Sequence, residues 1–288
     1  MDRTAAGWMN GFIGMAIFSG SLPATRVAVM QFDPVFLTVA RAAIAGVLAL
    51  SLLVIFRQKR PSLRDIGSLM VVALGVVVGF PLLTALALQH VTSAHSIVFI
   101  GLLPLATAIF GVIRGGERPK PAFWLFSILG SALVASFAFA QGLTASPTGD
   151  LLMLAAIIAC GLGYAEGGRL SRTLGGWQVI SWALVLSLPL MAAMALFLMP
   201  ETFADIEAPA LISLGYVSLF SMLIGFVFWY RGLAQGGIAA VGQLQLLQPF
   251  FGLALAATFL HEQVTSAMLA VTVAVILCVA GARKFARS

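Results

Sequence analysis

A few polar and charged side chains interrupt long apolar segments in this 288-residue chain. A polar group that is buried without a hydrogen-bond partner costs roughly 1–3 kcal/mol, and a buried charge costs more. Such side chains are kept where they bind a ligand, carry a proton or join helices. Each of them is therefore a candidate for chemistry.

Small residues interrupt two apolar segments at their middles, in Ser19-Gly20-Ser21-Leu22-Pro23 and in Cys160-Gly161-Leu162-Gly163-Tyr164. Where a helix unwinds, its free carbonyl and amide groups can bind a ligand, so matching interruptions in two halves of a chain indicate a central site. The same small residues also permit close helix packing, as in a GxxxG pattern, and both interpretations stay open. The candidate ligand contacts here are Ser19, Ser21 and Tyr164.

Three glutamines precede Pro249 in another apolar segment. Gln245 and Gln248 share a helix face, whereas Gln243 lies about 200° round from Gln245 at roughly 100° per residue. Because an amide both donates and accepts hydrogen bonds, two glutamines on one face suit a zwitterionic ligand. Hydrogen bonds between helices, worth roughly 0.6–2 kcal/mol, are the alternative. We take Gln245 and Gln248 as candidate ligand contacts.

Glu166 is the one carboxylate well inside an apolar segment. Arg169 lies three positions later on the same helix face, which predicts an ion pair. An unpaired Glu166 would instead be a proton or cation coupling site. Arg26 and Arg41 also lie inside apolar segments; they either bind a carboxylate or extend outward to meet Asp33, and we expect the second arrangement. All four charged residues are candidates for coupling or gating.

Weaker candidates for ligand contact are Thr84, Ser96, Ser221 and Tyr230. Three prolines, Pro23, Pro104 and Pro249, are expected to kink their helices rather than to touch a ligand.

Known catalytic and cofactor patterns are incomplete in this sequence. His261-Glu262 begins like a zinc-binding HExxH segment but lacks the second histidine. Gly161-Leu162-Gly163 lacks the third glycine of a dinucleotide fingerprint, and the chain carries no P-loop sequence. Cys160 and Cys278 show no metal-ligand spacing. The sequence therefore predicts no metal, no cofactor and no enzymatic activity.

The elements that position these residues are long apolar helices. The chain is 61% hydrophobic and 9% charged, whereas a soluble domain carries roughly 25% charged residues. A membrane-spanning helix needs about 20 mostly apolar residues. The sequence predicts ten of them, near 8–31, 34–56, 66–89, 93–114, 119–140, 149–170, 175–199, 209–232, 237–259 and 264–282. The predicted fold class is an all-α polytopic membrane protein, and the apolar run through Met30 favours a first helix over a signal peptide.

The distribution of basic residues predicts the orientation, because lysine and arginine are retained on the cytoplasmic side. With the N-terminus inside, fourteen of the sixteen lysines and arginines fall at inner ends or in inner loops. The outer connections carry acidic residues instead. We expect both termini to be cytoplasmic, in a bacterial-type inner (plasma) membrane. The formal charge of +6 is thus a topology signal rather than a sign of nucleic-acid binding.

An internal repeat divides the chain into residues 1–145 and 146–288. A Pro-x12-Glu segment occurs twice at an offset of 145 positions, ending at Glu117 and at Glu262. A second correspondence, at an offset of 143, pairs Gly20 through Arg26 with Gly163 through Arg169. Since each half has five predicted spans, the second half enters the membrane inverted. Inverted halves are typical of carriers that work by alternating access.

The sequence resembles the drug/metabolite transporter superfamily, in its EamA-type branch of ten-span exporters. The resemblance rests on Gly20 through Arg26, on Pro34 followed by Arg41, and on the two Pro-x12-Glu segments. It implies a ten-helix basket around a central cavity lined by spans 1, 3, 4, 6, 8 and 9. It also implies export of amino acids, other metabolites or drugs, with aromatic or hydrophobic amino acids favoured.

The expected partners are a small-molecule substrate and the lipid bilayer. The resemblance does not indicate the oligomeric state, for which a monomer is plausible. The second half lacks a pair of deep basic residues such as related sugar-phosphate antiporters use, so phosphorylated substrates are not expected. A membrane enzyme, a channel and a non-transporting protein are the alternatives. An enzyme should cluster acids, bases or metal ligands at depth, and the sequence offers one isolated Glu166.

Overall fold

A computed structural model shows the protein as a bundle of helices. The structure describes residues 2–87, 90, 99–140, 146–251, 254 and 266–286, without the side chains at positions 22, 26, 138, 139 and 267–269. Every regular element within these ranges is a helix, so the predicted all-α class is confirmed.

Eleven helical elements lie in the described ranges. They are α1 (Arg3–Ser19), α2 (Ser21–Ala28), α3 (Pro34–Ile55), α4 (Leu63–Ala87), α5 (Leu103–Gly115), α6 (Pro121–Ala140), α7 (Pro147–Leu170), α8 (Gly176–Phe197), α9 (Ala208–Gly236), α10 (Ile238–Phe251) and α11 (Ser266–Phe285). Five of them, α3, α4, α7, α8 and α9, are long and apolar enough to cross a bilayer. The count of ten spans stays a prediction.

Polar residues in the connections determine where several helices begin. The Asp33 carboxylate accepts hydrogen bonds from the backbone N–H groups of Val35 and Phe36, both at 2.9 Å, and Pro34 opens α3. Ser146 caps α7 in the same way, ahead of Pro147. A proline in the first helical turn loses no hydrogen bond, because the N–H groups there have no partner within the helix. The boundaries therefore follow from local sequence.

Several helices contain irregular turns. Residues Ala73–Gly79 of α4 and Val217–Ile224 of α9 form π-helical turns, and Gln243–Leu247 of α10 form a 3-10 turn. The first span is broken at Gly20, where α1 ends and α2 begins. Irregular turns of this kind are frequent at functional sites.

The predicted interruption of the sixth span is wrong, since α7 is one continuous helix from Pro147 to Leu170. Its small residues serve close packing instead. A Cβ built on Gly161 would lie 3.0 Å from the Ala106 side chain, and one on Gly163 would lie 2.8 Å from the Val76 side chain. The glycines of this segment thus pack closely against neighbouring helices, while Cys160 and Tyr164 of the same segment line a cavity.

The prolines lie at or near irregular backbone. Pro23 lies in the first turn of α2, just beyond the break at Gly20. Pro104 lies in the first turn of α5, after a turn at positions 101–102, and Pro249 follows the 3-10 turn of α10. The kinks expected at these prolines stay a prediction.

Close glycine contacts join α1 to α9. A Cβ on Gly232 would lie 2.5 Å from the backbone nitrogen of Gly11, and Gly7 packs against the backbone of Gly236 in the same manner. Helices approach this closely only where neither carries a side chain, which is a typical interface in membrane proteins.

Candidate functional site

A partly enclosed cavity of about 240 Å³ is lined by residues of α1, α2, α3, α4, α5, α7, α9 and α10. On α3 its contacts come from the first third of the helix, ending at Arg41, and on α4 they begin at Val76. The cavity therefore occupies the half of the bundle that contains the connection between α2 and α3.

One wall of the cavity is polar and joins three helices. The Arg41 Nη2 atom of α3 donates a hydrogen bond to Ser221 Oγ of α9 at 3.2 Å. The Ser21 hydroxyl of α2 donates to the same oxygen at 2.8 Å. The Nε atom of Arg41 is buried and has no hydrogen-bond partner in the part of the chain that the structure describes.

The sequence led us to expect that Arg41 extends outward to meet Asp33. The structure does not show this contact. Both hydrogen bonds of the Asp33 carboxylate among the described residues cap the start of α3, while Arg41 lines the cavity two turns further along. The side chain of Arg26 lies outside the described residues.

Aromatic rings form another part of the lining. The rings of Phe18 and Phe226 meet at 5.0 Å between centroids, and those of Tyr164 and Phe226 at 5.9 Å, both edge to face. Aromatic rings prefer this arrangement and contribute a large apolar surface. Phe80 adds a further ring to the lining.

Other predicted contact residues divide between the cavity and the helix core. Thr84 and Gln248 line the cavity, and Gln248 Nε2 donates to the Phe18 carbonyl at 3.4 Å. Gln245 does not line it: the residue is 1% exposed and its side chain lies beside Tyr164, which does line the cavity. Gln243 is buried in the same way.

Two more residues predicted to contact a ligand donate their hydroxyl groups to backbone carbonyls of the protein instead. The Ser19 hydroxyl donates to the Met15 carbonyl of its own helix at 2.9 Å. The Tyr230 hydroxyl donates to the Gly163 carbonyl at 3.3 Å. Neither residue lines the cavity, and Ser96 lies outside the described residues.

Glu166 lies in a buried ionic cluster away from the cavity. Its carboxylate pairs with Arg169 Nη2 at 2.5 Å, as the sequence predicts, and with Arg114 Nε at 2.9 Å. Arg169 also donates to Ser68 Oγ at 2.9 Å, so the cluster joins α4, α5 and α7. The carboxylate is fully buried, whereas both arginine side chains are partly exposed.

Sequence reasoning missed several of these partners. Thr25 and Thr38 line the cavity, but nothing distinguishes them in the sequence from other threonines in helices. Arg114 and Ser68 are far from Glu166 in the chain, so only the three-dimensional packing reveals their contacts.

The EamA-like transporter family matches residues 5–138 and 147–283 of this chain. The chain belongs to this family. It is 72% identical over 287 residues to the uncharacterized transporter YdeK of Bacillus subtilis (strain 168), an alignment that covers 100% of both proteins. The protein is therefore a membrane-embedded transporter, and the predicted resemblance is confirmed.

More distant relatives agree with this assignment. A probable terminal-alkyne amino-acid exporter of Streptantibioticus cattleyicolor is 25% identical over 253 residues, which cover 85% of this transporter and 82% of that protein. A solved crystal structure aligns with a TM-score of 0.81 at 18% identity and covers 98% of each chain, which shows a shared fold.

Proposed function

We propose that this transporter exports small organic metabolites across the inner membrane, with aromatic or hydrophobic amino acids as its favoured substrates. The supporting observation is the cavity, whose lining combines cationic and hydroxyl-bearing residues with aromatic rings. A substrate with one charged end and one apolar end fits such a lining. No catalytic step is part of the proposal.

The size of the cavity favours small metabolites over larger drugs. Its volume of about 240 Å³ lies below the roughly 300–1,000 Å³ of pockets that hold drug-sized ligands. The relative described as a probable amino-acid exporter supports the same class of substrate, although its identity to this chain is only 25%.

Alternating access is the proposed mechanism. The cavity occupies one half of the bundle, and the other half contains the glycine contacts of α1 with α9 and the ionic cluster at Glu166, which we infer to close it. The π-helical turns of α4 and α9 lie about half a chain apart, which supports two repeats, at 1–145 and 146–288. Inverted repeats can exchange conformations, so that a central site faces each side in turn.

In the proposed orientation both termini are cytoplasmic. The cavity then faces the outer side, and the closed half of the bundle faces the cytoplasm. The structure therefore corresponds to an outward-facing state in this proposal.

Counterflow in proteoliposomes tests the proposed function. Vesicles loaded with unlabelled L-phenylalanine should take up external labelled L-phenylalanine transiently above its equilibrium level, because a carrier exchanges the two. Protein-free vesicles, loaded identically, are the control. Equal entry into loaded and empty vesicles, without saturation, would indicate a channel or a leak, and no entry for any aromatic or aliphatic amino acid would refute the substrate class.

A further inference from the structure

We propose that Arg41, Ser21 and Ser221 form a carboxylate-binding site, and that the substrate is a small monocarboxylate with an apolar body whose amino group is dispensable. The inference rests on the proposed transport function and specifies its substrate chemistry. Its starting point is the charge of Arg41 inside the cavity.

The guanidinium of Arg41 lacks a counter-charge in the part of the chain that is described. Arg114 and Arg169 pair with Glu166, and Arg172 pairs with Glu117, but no ion pair is recorded for Arg41 in the same ranges. The described residues that line the cavity include no aspartate or glutamate. A cation at membrane depth is costly unless an opposite charge or a set of acceptors satisfies it. An anionic group in the cavity would complete this site.

The donors of Arg41 remain largely available for such a group. An arginine carries five N–H donors in a planar fork, and only the bond to Ser221 is recorded here. The buried Nε atom has no partner among the described residues. A carboxylate is the group whose geometry matches this fork, through two parallel hydrogen bonds.

The serine pair supplies one more donor. Ser21 and Ser221 together carry two hydroxyl protons, and the 2.8 Å bond between their oxygens uses one of them. Arg41 can only donate, so its bond to Ser221 uses an acceptor position and no proton. One serine proton is therefore left to be donated. An acceptor-only group such as a carboxylate would receive it.

The charge balance favours a carboxylate over a phosphate. One arginine matches the single charge of a carboxylate, whereas a phosphate monoester carries nearly two charges at neutral pH. The aromatic rings of Phe18 and Phe226, which line the cavity, would contact an apolar body. For an ammonium group the described lining offers only neutral acceptors, among them Thr84 and Gln248. The amino group is therefore tolerated, and the carboxylate is required.

Binding of three ligands of similar shape to the purified full-length protein tests the role of the carboxylate and of the amino group separately. L-phenylalanine carries both groups, 3-phenylpropionate lacks the amino group, and L-phenylalaninamide lacks the carboxylate. We expect the first two to quench or shift the tryptophan fluorescence and to raise the unfolding temperature, because Trp229 packs against Phe18 and Tyr164 beside the cavity. The amide should have no saturable effect at matched concentrations.

Variants of the site test the same assignment. Arg41→Gln should weaken binding of both acids roughly tenfold to a hundredfold, as loss of a charged hydrogen-bond donor predicts. Arg41→Lys should retain part of the affinity, and Ser221→Ala should lose less than Arg41→Gln. Arg231→Gln makes the same chemical change at an exposed arginine outside the cavity and should bind normally. If Arg41→Gln does not fold, the ligand comparison on the native protein and the Ser221→Ala variant still decide the matter.

Each outcome has a separate meaning. Binding of all three ligands alike, of none of them, or with unchanged affinity in Arg41→Gln would overturn the carboxylate site. Counterflow of amino acids with unaltered affinity in Arg41→Gln would overturn the site and leave the transport function standing. Arg41-dependent binding without counterflow would support the site and contradict the transport function.

Discussion

The Glu117 carboxylate accepts a hydrogen bond of 2.7 Å from the backbone N–H of Ile238, across more than a hundred positions of the chain. Its second oxygen accepts from the N–H of Ala239, also at 2.7 Å, and Arg172 donates to the first at 2.8 Å. Glu117 therefore caps the first turn of α10, directly after Gly237, whose φ of +98° suits glycine. The Pro-x12-Glu segment thus has a structural role in fixing the helix that carries Gln248.

Replacing Glu117 tests this cap. Glu117→Ala should lower the free energy of unfolding by about 1–2 kcal/mol, because removal of a helix cap typically costs roughly 0.5–2 kcal/mol. Glu117→Gln should cost less, because its amide oxygen still accepts one of the two bonds. Thermal unfolding in detergent measures the difference, with Glu201→Gln in an exposed connection as the control. Equal stability of Glu117→Ala and the native protein would contradict the capping role.

Glycine contacts between α1 and α9 lead to a second prediction. Gly232→Ala should destabilise the protein by roughly 1–3 kcal/mol, the usual cost of overpacking, because the new methyl group would overlap the backbone of Gly11. Gly215→Ala is the matched control in the same helix, where a Cβ meets no atom within 4 Å. It should be neutral or slightly stabilising, since alanine favours a helix. A similar fall in unfolding temperature for both variants would show that the close approach is not the cause.

Gln245 is buried away from the cavity, whereas Gln248 lines it, so replacing each glutamine tests the two locations. Gln248→Leu should weaken substrate affinity several-fold, because its amide lines the cavity. Gln245→Leu should weaken affinity less than Gln248→Leu, because Gln245 does not line the cavity and contacts it only through the neighbouring Tyr164. Ligand binding by the two variants, measured side by side, tests both statements. Loss of affinity in Gln245→Leu alone would reverse this assignment.

Much of the helical framework could be predicted from local sequence. The predicted second span, 34–56, corresponds to Pro34–Ile55, and the seventh, 175–199, to Gly176–Phe197. The ion pair of Glu166 with Arg169 could also be predicted, because residues three apart share a helix face. These features depend on residues that are neighbours in the chain.

The polar wall of the cavity depends on residues that are distant in the chain. Arg41 and Ser221 are separated by 180 positions, and Ser21 and Ser221 by 200, so no local pattern joins them. The prediction that Gln245 contacts the ligand was wrong for the same reason, since the residue does not line the cavity. Helical periodicity indicates which residues share a face, but only the packed neighbours decide whether that face meets a cavity or the core.

Labelling of single cysteines tests the proposed orientation. Ala204→Cys, in the acidic connection between α8 and α9, should react with an impermeant thiol reagent added outside intact cells. Lys59→Cys, in the basic connection between α3 and α4, should react only after the cells are opened. Both positions are exposed. The labelling uses a Cys160→Ala/Cys278→Ala background, because Cys160 lines the cavity and could react from the outside. The reverse pattern would invert the topology and place the cavity on the cytoplasmic side.

The paired state of Glu166 leads to a prediction about energy coupling. Its two oxygens contact the guanidinium groups of Arg114 and Arg169, so neither oxygen is left free to carry a proton. Transport should therefore run down the substrate gradient, without uphill movement when a pH gradient is imposed on proteoliposomes at clamped membrane potential.

Glu166→Gln separates a structural role from a coupling role. The variant should lose roughly 1–3 kcal/mol of stability, because one charged acceptor of two partly exposed arginines is replaced by a neutral one. Its substrate specificity should be retained, since Glu166 does not line the cavity. Arg169→Gln, which removes one partner and keeps the carboxylate, should destabilise in the same direction. Uphill accumulation by the native protein that disappears in Glu166→Gln but persists in Arg169→Gln would identify the carboxylate as a proton carrier, because loss of the ion pair alone would affect both variants.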